Sequence, residues 1–259
     1  MKIVVIGGSG FIGQSLCMSM VSNGHRVTSV SRSPARPRLE KVEYIDCNYD
    51  NIFLLSEQYQ RADIIFHLAC DTTPATSSQQ CSLEGMANII PFLRLIDFLE
   101  CKTSTPLVYL SSGGAIYGDQ KEACDETTQT SPVSHYGAGK VALEGFLRSY
   151  HSQSKNSVII LRPANIYGPG QLAKQAFGVI PALFESVTQQ SVFECSGTGE
   201  QARDYLYIED FIDLCQKIIQ SPIEKNCFEI LNCGSQKSTT LNELIKLVEH
   251  TTQYQLETL

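Results

Sequence analysis

The N-terminal run KIVVIGGSGFIGQSLCMSMVSNG limits what this chain can fold into more than any other stretch. Residues 2–6 are apolar almost throughout, as expected of a strand in a sheet covered on both faces. Gly7, Gly10 and Gly13 follow at intervals of three. Apolar residues then recur at helical spacing as far as Asn23-Gly24, a pair that ends helices. A strand that runs through a glycine loop straight into a helix opens a βαβ unit. The glycine spacing has a cause. One glycine makes the tight turn, one lets the backbone approach a pyrophosphate, and one lets helix pack on strand. The helix start adds free N–H groups and partial positive charge.

The rest of the first 163 residues repeats this alternation. HRVTSVS reads as a second strand, and VEYIDC and ADIIFHLA as a third and fourth with a helix over 50–60 between them. A long helix over 79–101 leads to a fifth strand, PLVYLSS, and HYGAGKVALEGFLRSYHSQ is an amphipathic helix before a sixth, NSVIILRP. Strands alternating with helices predict an α/β fold, a Rossmann doubly wound parallel sheet, over residues 1–163. Beyond it, ANIYGPGQLAKQ is a Gly/Pro-rich loop. Shorter elements are expected at 177–190, 191–195, 204–207, 209–220, 227–231 and 240–252. These make residues 164–259 a small C-terminal substrate-binding lobe, interleaved with the sheet, its last strand returning to it.

Charge and cysteine usage narrow the partners. Twenty Lys and Arg against 27 Asp and Glu give a net charge of −7, which disfavours binding to nucleic acid or an acidic membrane. No apolar run approaches the roughly 20 residues of a membrane helix, and the N-terminus has no cleavage-site pattern. The ten cysteines are scattered without a C-x-x-C pair. They read as reduced, mostly buried thiols of a cytoplasmic protein. The five histidines, at 25, 67, 135, 151 and 250, never stand at ligand spacing with cysteine or acid, so no metal site is expected. His67, inside ADIIFHLAC, reads as a core residue.

Three stretches carry chemistry. At the end of the second strand, where NAD-binding loops place an acid for the ribose 2′-hydroxyl, this chain has Val30-Ser31-Arg32-Ser33, with Arg36 nearby. Ser31 and Arg32 suit a 2′-phosphate, which favours NADP(H). Asp46-Cys47, ending the third strand, is placed to flank the adenine. Tyr136 and Lys140 form Y-x-x-x-K at the start of the helix after the fifth strand, one helical turn apart and so on one face. A tyrosine titrates near pH 10. The neighbouring ammonium, together with a positive nicotinamide ring, is expected to favour its phenolate, which then serves as a base. The third stretch, SSGGAIYG at 111–118, sets two hydroxyls and two glycines at a strand end.

The pieces GGSGFIG, HLA, SSGGAIYG, YGAGK, RPANIYGPGQ and GTGEQARDYLYIED, spread over residues 7–210, resemble the extended short-chain dehydrogenase/reductase family. Within it they are most similar to nucleotide-sugar epimerases of the UDP-glucose 4-epimerase type. The resemblance implies NAD(P), with NAD the commoner choice, a nucleotide-sugar substrate such as a UDP-sugar, and a homodimer through a four-helix bundle. It implies that Gly7, Gly10, Phe11, Ile12, Gly13, Leu68 and Ala69 line the cofactor. It makes Tyr136 the base, and Lys140 the residue that holds the ribose and tunes Tyr136. Pro163 backs the nicotinamide, Asn165 touches the substrate diphosphate and Arg203 binds its phosphate, unless Arg203 pairs with Asp204 or Asp210. Epimerases carry Ser or Thr four residues before the tyrosine of this motif. Here that place is Gly113, so Ser112 is the candidate hydroxyl and Ser111 a structural one. Gly114-Ala115 stands where dehydratases place an acid pair, which disfavours dehydration, and decarboxylation likewise. Relatives usually continue about fifty residues beyond STTLNELIKLVE, so the lobe is expected to be incomplete. Three functions stay open: a 4-epimerase working through a transient 4-keto sugar, an NADPH-dependent reductase of a keto-sugar nucleotide, and a non-catalytic nucleotide-binding protein.

Overall fold

The computed structural model describes residues 1–33, 37–48, 51, 54–120, 122–173, 178–195 and 197–259. Arg36 lies outside them, as does part of the expected 50–60 helix. In chain order the elements are β1 (Lys2–Ile6), α1 (Phe11–Ser22), β2 (Arg26–Ser31), β3 (Val42–Asp46), α2 (Ser56–Arg61), β4 (Ile64–His67), α3 (Pro74–Gln79), α4 (Cys81–Glu84), a π-helical turn (Gly85–Ile89), α5 (Ile90–Lys102), β5 (Leu107–Leu110) and α6 (Gly113–Ile116). There follow α7 (His135–Ser154), β6 (Val158–Pro163), β7 (Asn165–Tyr167), α8 (Val179–Gln189), β8 (Ala202–Tyr207), α9 (Ile208–Gln220), β9 (Phe228–Cys233), β10 (Ser238–Thr240) and α10 (Leu241–Thr252).

Seven parallel strands form the main sheet in the order β3-β2-β1-β4-β5-β6-β9. The order reverses direction at β1, so the crevice outside the C-terminal ends of β1 and β4 is the topological switch point where such sheets bind ligands. The strands are Val- and Ile-rich because both faces are covered. On one face α1 and α9 bury Leu16, Met20, Phe211 and Cys215. On the other, α2, α5 and α7 bury Tyr59, Phe92, Leu95, Leu143 and Leu147. β9 does return to the sheet, pairing with β6 from Val158–Phe228 to Pro163–Cys233.

Beyond β6 a second sheet of three strands, β10-β8-β7, packs with α8 and α10 around Leu183, Leu241 and Leu244. Its strands β7 and β10 were not expected, since three-residue strands show no periodicity. The expected strand at 191–195 is reduced to a bridge between Phe193 and Thr258. The expected long helix over 79–101 is broken. Gln80 is extended at φ −152° and ψ 103°. The turn Gly85–Ile89 is wound wide, with the Ile90 N–H donating to the Gly85 carbonyl five residues back. Pro91, which has no N–H to give to the preceding turn, follows at once. α7 begins cleanly because Ser134 accepts from the Gly137 N–H at 3.0 Å. It ends at Lys155, in the left-handed region at φ 61°.

Candidate active site

The glycine loop is shaped by contacts that exclude side chains. Gly7 has φ +89°, and a Cβ there would stand 2.7 Å from the Ala69 nitrogen. A Cβ on Gly13 would run into the Gly7 carbonyl oxygen, so α1 sits directly on the end of β1. The Gly7 N–H donates to Val30 O at 2.8 Å and the Gly10 N–H to Gly7 O at 3.1 Å. Gly10 caps α1 without a side-chain hydrogen bond, and no acid stands in the first turn. The α1 start therefore keeps its positive end free for an anion. A loop with no room for a Cβ at Gly7 or Gly13, at an uncapped helix start and a topological switch point, fits a dinucleotide pyrophosphate. Phe11 and Ile12 open the helix, and Leu68 and Ala69 lie across the crevice on the loop after β4, with Leu68 N–H bound to Ile6 O at 2.8 Å.

The second wall comes from β5, α6 and α7. The Lys140 ammonium is buried. It donates to Leu110 O at 2.9 Å and lies 5.1 Å from the Tyr109 ring centre and 5.6 Å from that of Tyr136. Burial alone would depress Lys140, but Tyr109, Cys70 and Tyr136 around it carry it above its ordinary value. Burial pushes the Tyr136 phenol up; Lys140 and a hydrogen bond with Ser112 pull it down, while Cys70 and Glu84 push it up again. The net direction is upward, although Lys140 acts in the expected sense. The chain alone buries the phenol more than it stabilises its anion. Ser112, Tyr136 and Lys140 are brought together.

The glycines of this wall have reasons too. A Cβ on Gly113 would stand 2.9 Å from Arg162 O and 3.2 Å from Pro163 O, so residue 113 cannot carry the family's usual hydroxyl without displacing β6. Ser111 is structural: its hydroxyl donates to the buried Glu144, which also accepts from Arg162 at 3.1 and 2.6 Å. Gly137 and Gly139 in YGAGK let α7 approach Ala115 and Glu84.

The outer residues are placed as follows. Ser31 accepts from the Ser9 N–H at 3.0 Å, bracing the glycine loop. Arg32 forms an ion pair with Asp71 at 2.7 Å. Asp46 pairs with Arg38 at 2.9 Å, and the Cys47 N–H donates to Ser31 O at 2.9 Å. Pro163 ends β6 opposite Cys233. Asn165 lies across from Gly114 and donates to Asp204 O at 3.0 Å. Arg203 is exposed and donates to Ala202 O at 2.8 Å. Asp204 is taken by the Ser235 and Gln236 loop, so Arg203 is left to face solvent from β8.

His67 is buried against Phe92 and Tyr109. Burial, helped by the Lys140 charge, lowers it to about 3, a neutral core residue as expected. Several participants escaped the sequence reading. A buried network joins Thr72 to Glu84, Asn88 to Thr72 at 2.8 Å and to Glu84 at 2.9 Å, and the Asp71 N–H to Asn88 at 2.9 Å. Glu84 and Asn88, four apart in an apolar helical stretch, were the available signal. Cys70, beside Lys140, had none.

A dinucleotide cradle at the switch point, facing a Ser-Tyr-Lys cluster on β5 and α7, defines a Rossmann-fold short-chain dehydrogenase/reductase of the extended type. The chain belongs to the NAD dependent epimerase/dehydratase family, whose model matches residues 3–234. A dTDP-4-dehydro-6-deoxyglucose reductase of Escherichia coli is 29% identical over 258 residues, spanning 95% of this chain and 80% of its own. A UDP-glucose 4-epimerase of Mycolicibacterium smegmatis is 28% identical over 225 residues, spanning 82% and 71%. The crystal structure of a UDP-glucose 4-epimerase with UDP-glucose from Thermotoga maritima superposes with a TM-score of 0.91 at 26% identity, covering 100% of this chain and 85% of that one. No described helix is long and apolar enough to cross a membrane.

Proposed function

We infer that the protein is an NAD(P)-dependent nucleotide-sugar epimerase that inverts C4 of a UDP-sugar through a transient 4-keto sugar. The observation that carries this reading is the convergence of Ser112, Tyr136 and Lys140 opposite a side-chain-free glycine cradle. NAD(P), when bound, supplies the hydride acceptor and, in its oxidised form, a positive ring beside the phenol. Tyr136 takes the proton from the sugar 4-hydroxyl and gives it back from the same oxygen. Ser112 hydrogen-bonds that sugar oxygen and the phenol, holding the two in line. Lys140, fixed on Leu110 O, steadies the phenolate and holds the cofactor ribose. Pro163 closes the back of the nicotinamide site.

The residues beyond 163 form the substrate lobe. Asn165 meets the diphosphate and the solvent-facing Arg203 its charge. Gly114 and Ala115 offer no acid, which sets this site apart from the family's dehydratases. The ten free thiols suit the cytoplasm. Exposed Met86, Ile90 and Phe146, on the π turn, α5 and α7, suit a homodimer through these helices.

A second reading, an NADPH-dependent reductase of a keto-sugar nucleotide, is favoured by the E. coli relative and by Arg32. It uses the same residues with Tyr136 as acid. A non-catalytic nucleotide-binding protein is the third, favoured by Gly113. One experiment separates them: UDP-glucose with cofactor, followed by sugar analysis and cofactor absorbance, for the wild type and Tyr136→Phe. Epimerisation without net cofactor change, lost by at least about a thousandfold in Tyr136→Phe, is expected. Net NADPH oxidation with a keto-sugar nucleotide would move the assignment to the reductase. A rate unchanged by Tyr136→Phe would end both enzymatic readings.

A further inference from the structure

The site that NAD-binding loops fill with an acid on β2 holds Ser31 and Arg32 here, but the fold supplies a carboxylate from elsewhere. Arg32 stands just past the end of β2, and Asp71 four residues past the end of β4. These strands flank β1 on either side. Their 2.7 Å ion pair therefore spans the end of β1, where the glycine loop begins and where a dinucleotide's adenosine ribose reaches β2. Asp71 is not a loose loop residue. Its N–H is held by Asn88 at 2.9 Å, and Asn88 is buried and bonded to Thr72 and Glu84. The Asp71 side chain is 30% exposed against 61% for Arg32, so the acid is the more enclosed partner and the arginine the one open to solvent.

We propose that Asp71 selects the cofactor. Its carboxylate neutralises Arg32 and accepts from the ribose 2′-hydroxyl, so the chain takes NAD in preference to NADP although its second strand ends without an acid. A 2′-phosphate would have to draw Arg32 away from Asp71 and then stand beside that carboxylate. Like charge there works against it. Ser31 does not decide between the two, because its hydroxyl, which accepts from the Ser9 N–H, keeps a proton that it can donate to a ribose hydroxyl or a phosphate alike. An exposed ion pair is weak, so the selection is one of degree. This inference rests on the crevice being a dinucleotide site.

The test is equilibrium binding of NAD and of NADP, by calorimetry, to the full chain as wild type, Asp71→Asn, Asp71→Ala and Arg32→Gln. The wild type is expected to bind NAD several-fold more tightly than NADP. Both Asp71 variants are expected to shift the affinity ratio about tenfold towards NADP, and Arg32→Gln to weaken NADP alone. A ratio that stays within twofold of the wild type in both Asp71 variants, or moves towards NAD, overturns the proposal while leaving the dinucleotide site standing. Failure of both cofactors to bind the wild type at millimolar concentration overturns the site itself, and the proposal with it.

Discussion

The two walls of the crevice are built from different materials. The wall at β1 and α1 is backbone. Gly7, Gly10 and Gly13 shape it by what they leave out, and its charge is that of a helix start with no side chain capping it. The wall at β5, α7 and β6 is made of buried polar and charged side chains: Lys140 on Leu110 O, Ser111 and Arg162 on Glu144, and Tyr117 accepting from Arg162 at 2.8 Å while donating to Asn232 at 2.7 Å. The first wall stores no unpaired side-chain charge. The second holds charges that are tolerable only while every partner is in place. Substitutions on the first wall should therefore cost ligand affinity, and on the second, stability.

The largest expected effect tests the second half of that contrast. Glu144 and Arg162 are buried, with side-chain exposures of 8% and 5%. Glu144→Gln leaves the Arg162 guanidinium without its counter-charge. It is expected to destabilise the fold by about 3–5 kcal/mol in chemical denaturation. A loss under about 1 kcal/mol would show that the pair is not the keystone of this wall. Next in size is Gly13→Ala, whose methyl must displace the Gly7 carbonyl. Dinucleotide affinity is expected to fall about a hundredfold, roughly 2.7 kcal/mol, measured by titration. Gly145→Ala sharpens the comparison, since a Cβ there meets nothing within 4 Å on α7. It is expected to leave binding unchanged and to raise stability by about 0.5–1 kcal/mol. Equal behaviour of the two alanine variants would erase the distinction between a cradle glycine and a helix glycine.

The same contrast explains what could be read from the residues. The glycine spacing and the apolar strands were legible because each rests on local backbone demands, which sequence records directly. Tyr136 and Lys140 were legible because one helical turn puts them on one face. The partners of the second wall were not. Glu144 reaches Ser111 33 residues away, and Asn232 reaches Tyr117 across 115, distances that no local pattern carries. Arg32 shows the cost. Read alone at a strand end it favours NADP; its ion pair with Asp71, 39 residues on, is a contact that no local pattern announces. The broken 79–101 helix belongs here as well, because helix periodicity passes through Gln80 and Gly85 without a mark that either opens the turn.

A further effect, on turnover alone, concerns the position where this chain departs from the expected hydroxyl. Ser112 begins α6 as its N-cap without spending its side chain on the helix, which leaves the hydroxyl for the Tyr136 phenol. Removing it should leave substrate affinity nearly intact and lower turnover, because the proposed mechanism has its hydrogen bond act on the reacting oxygens. Ser112→Ala is expected to reduce kcat about tenfold to thirtyfold with KM within about twofold, at the lower end of what positioned proton-transfer partners contribute. Restoring a hydroxyl at the neighbouring place should not help. In Ser112→Ala/Gly113→Ser the new Cβ meets Arg162 O at 2.9 Å, on the very residue that anchors the charged wall. The double variant is expected to be both slower and less stable than Ser112→Ala alone. Recovery of turnover in it would mean that β6 yields at this point, and that the hydroxyl's address is set by the substrate and not by the backbone around Gly113.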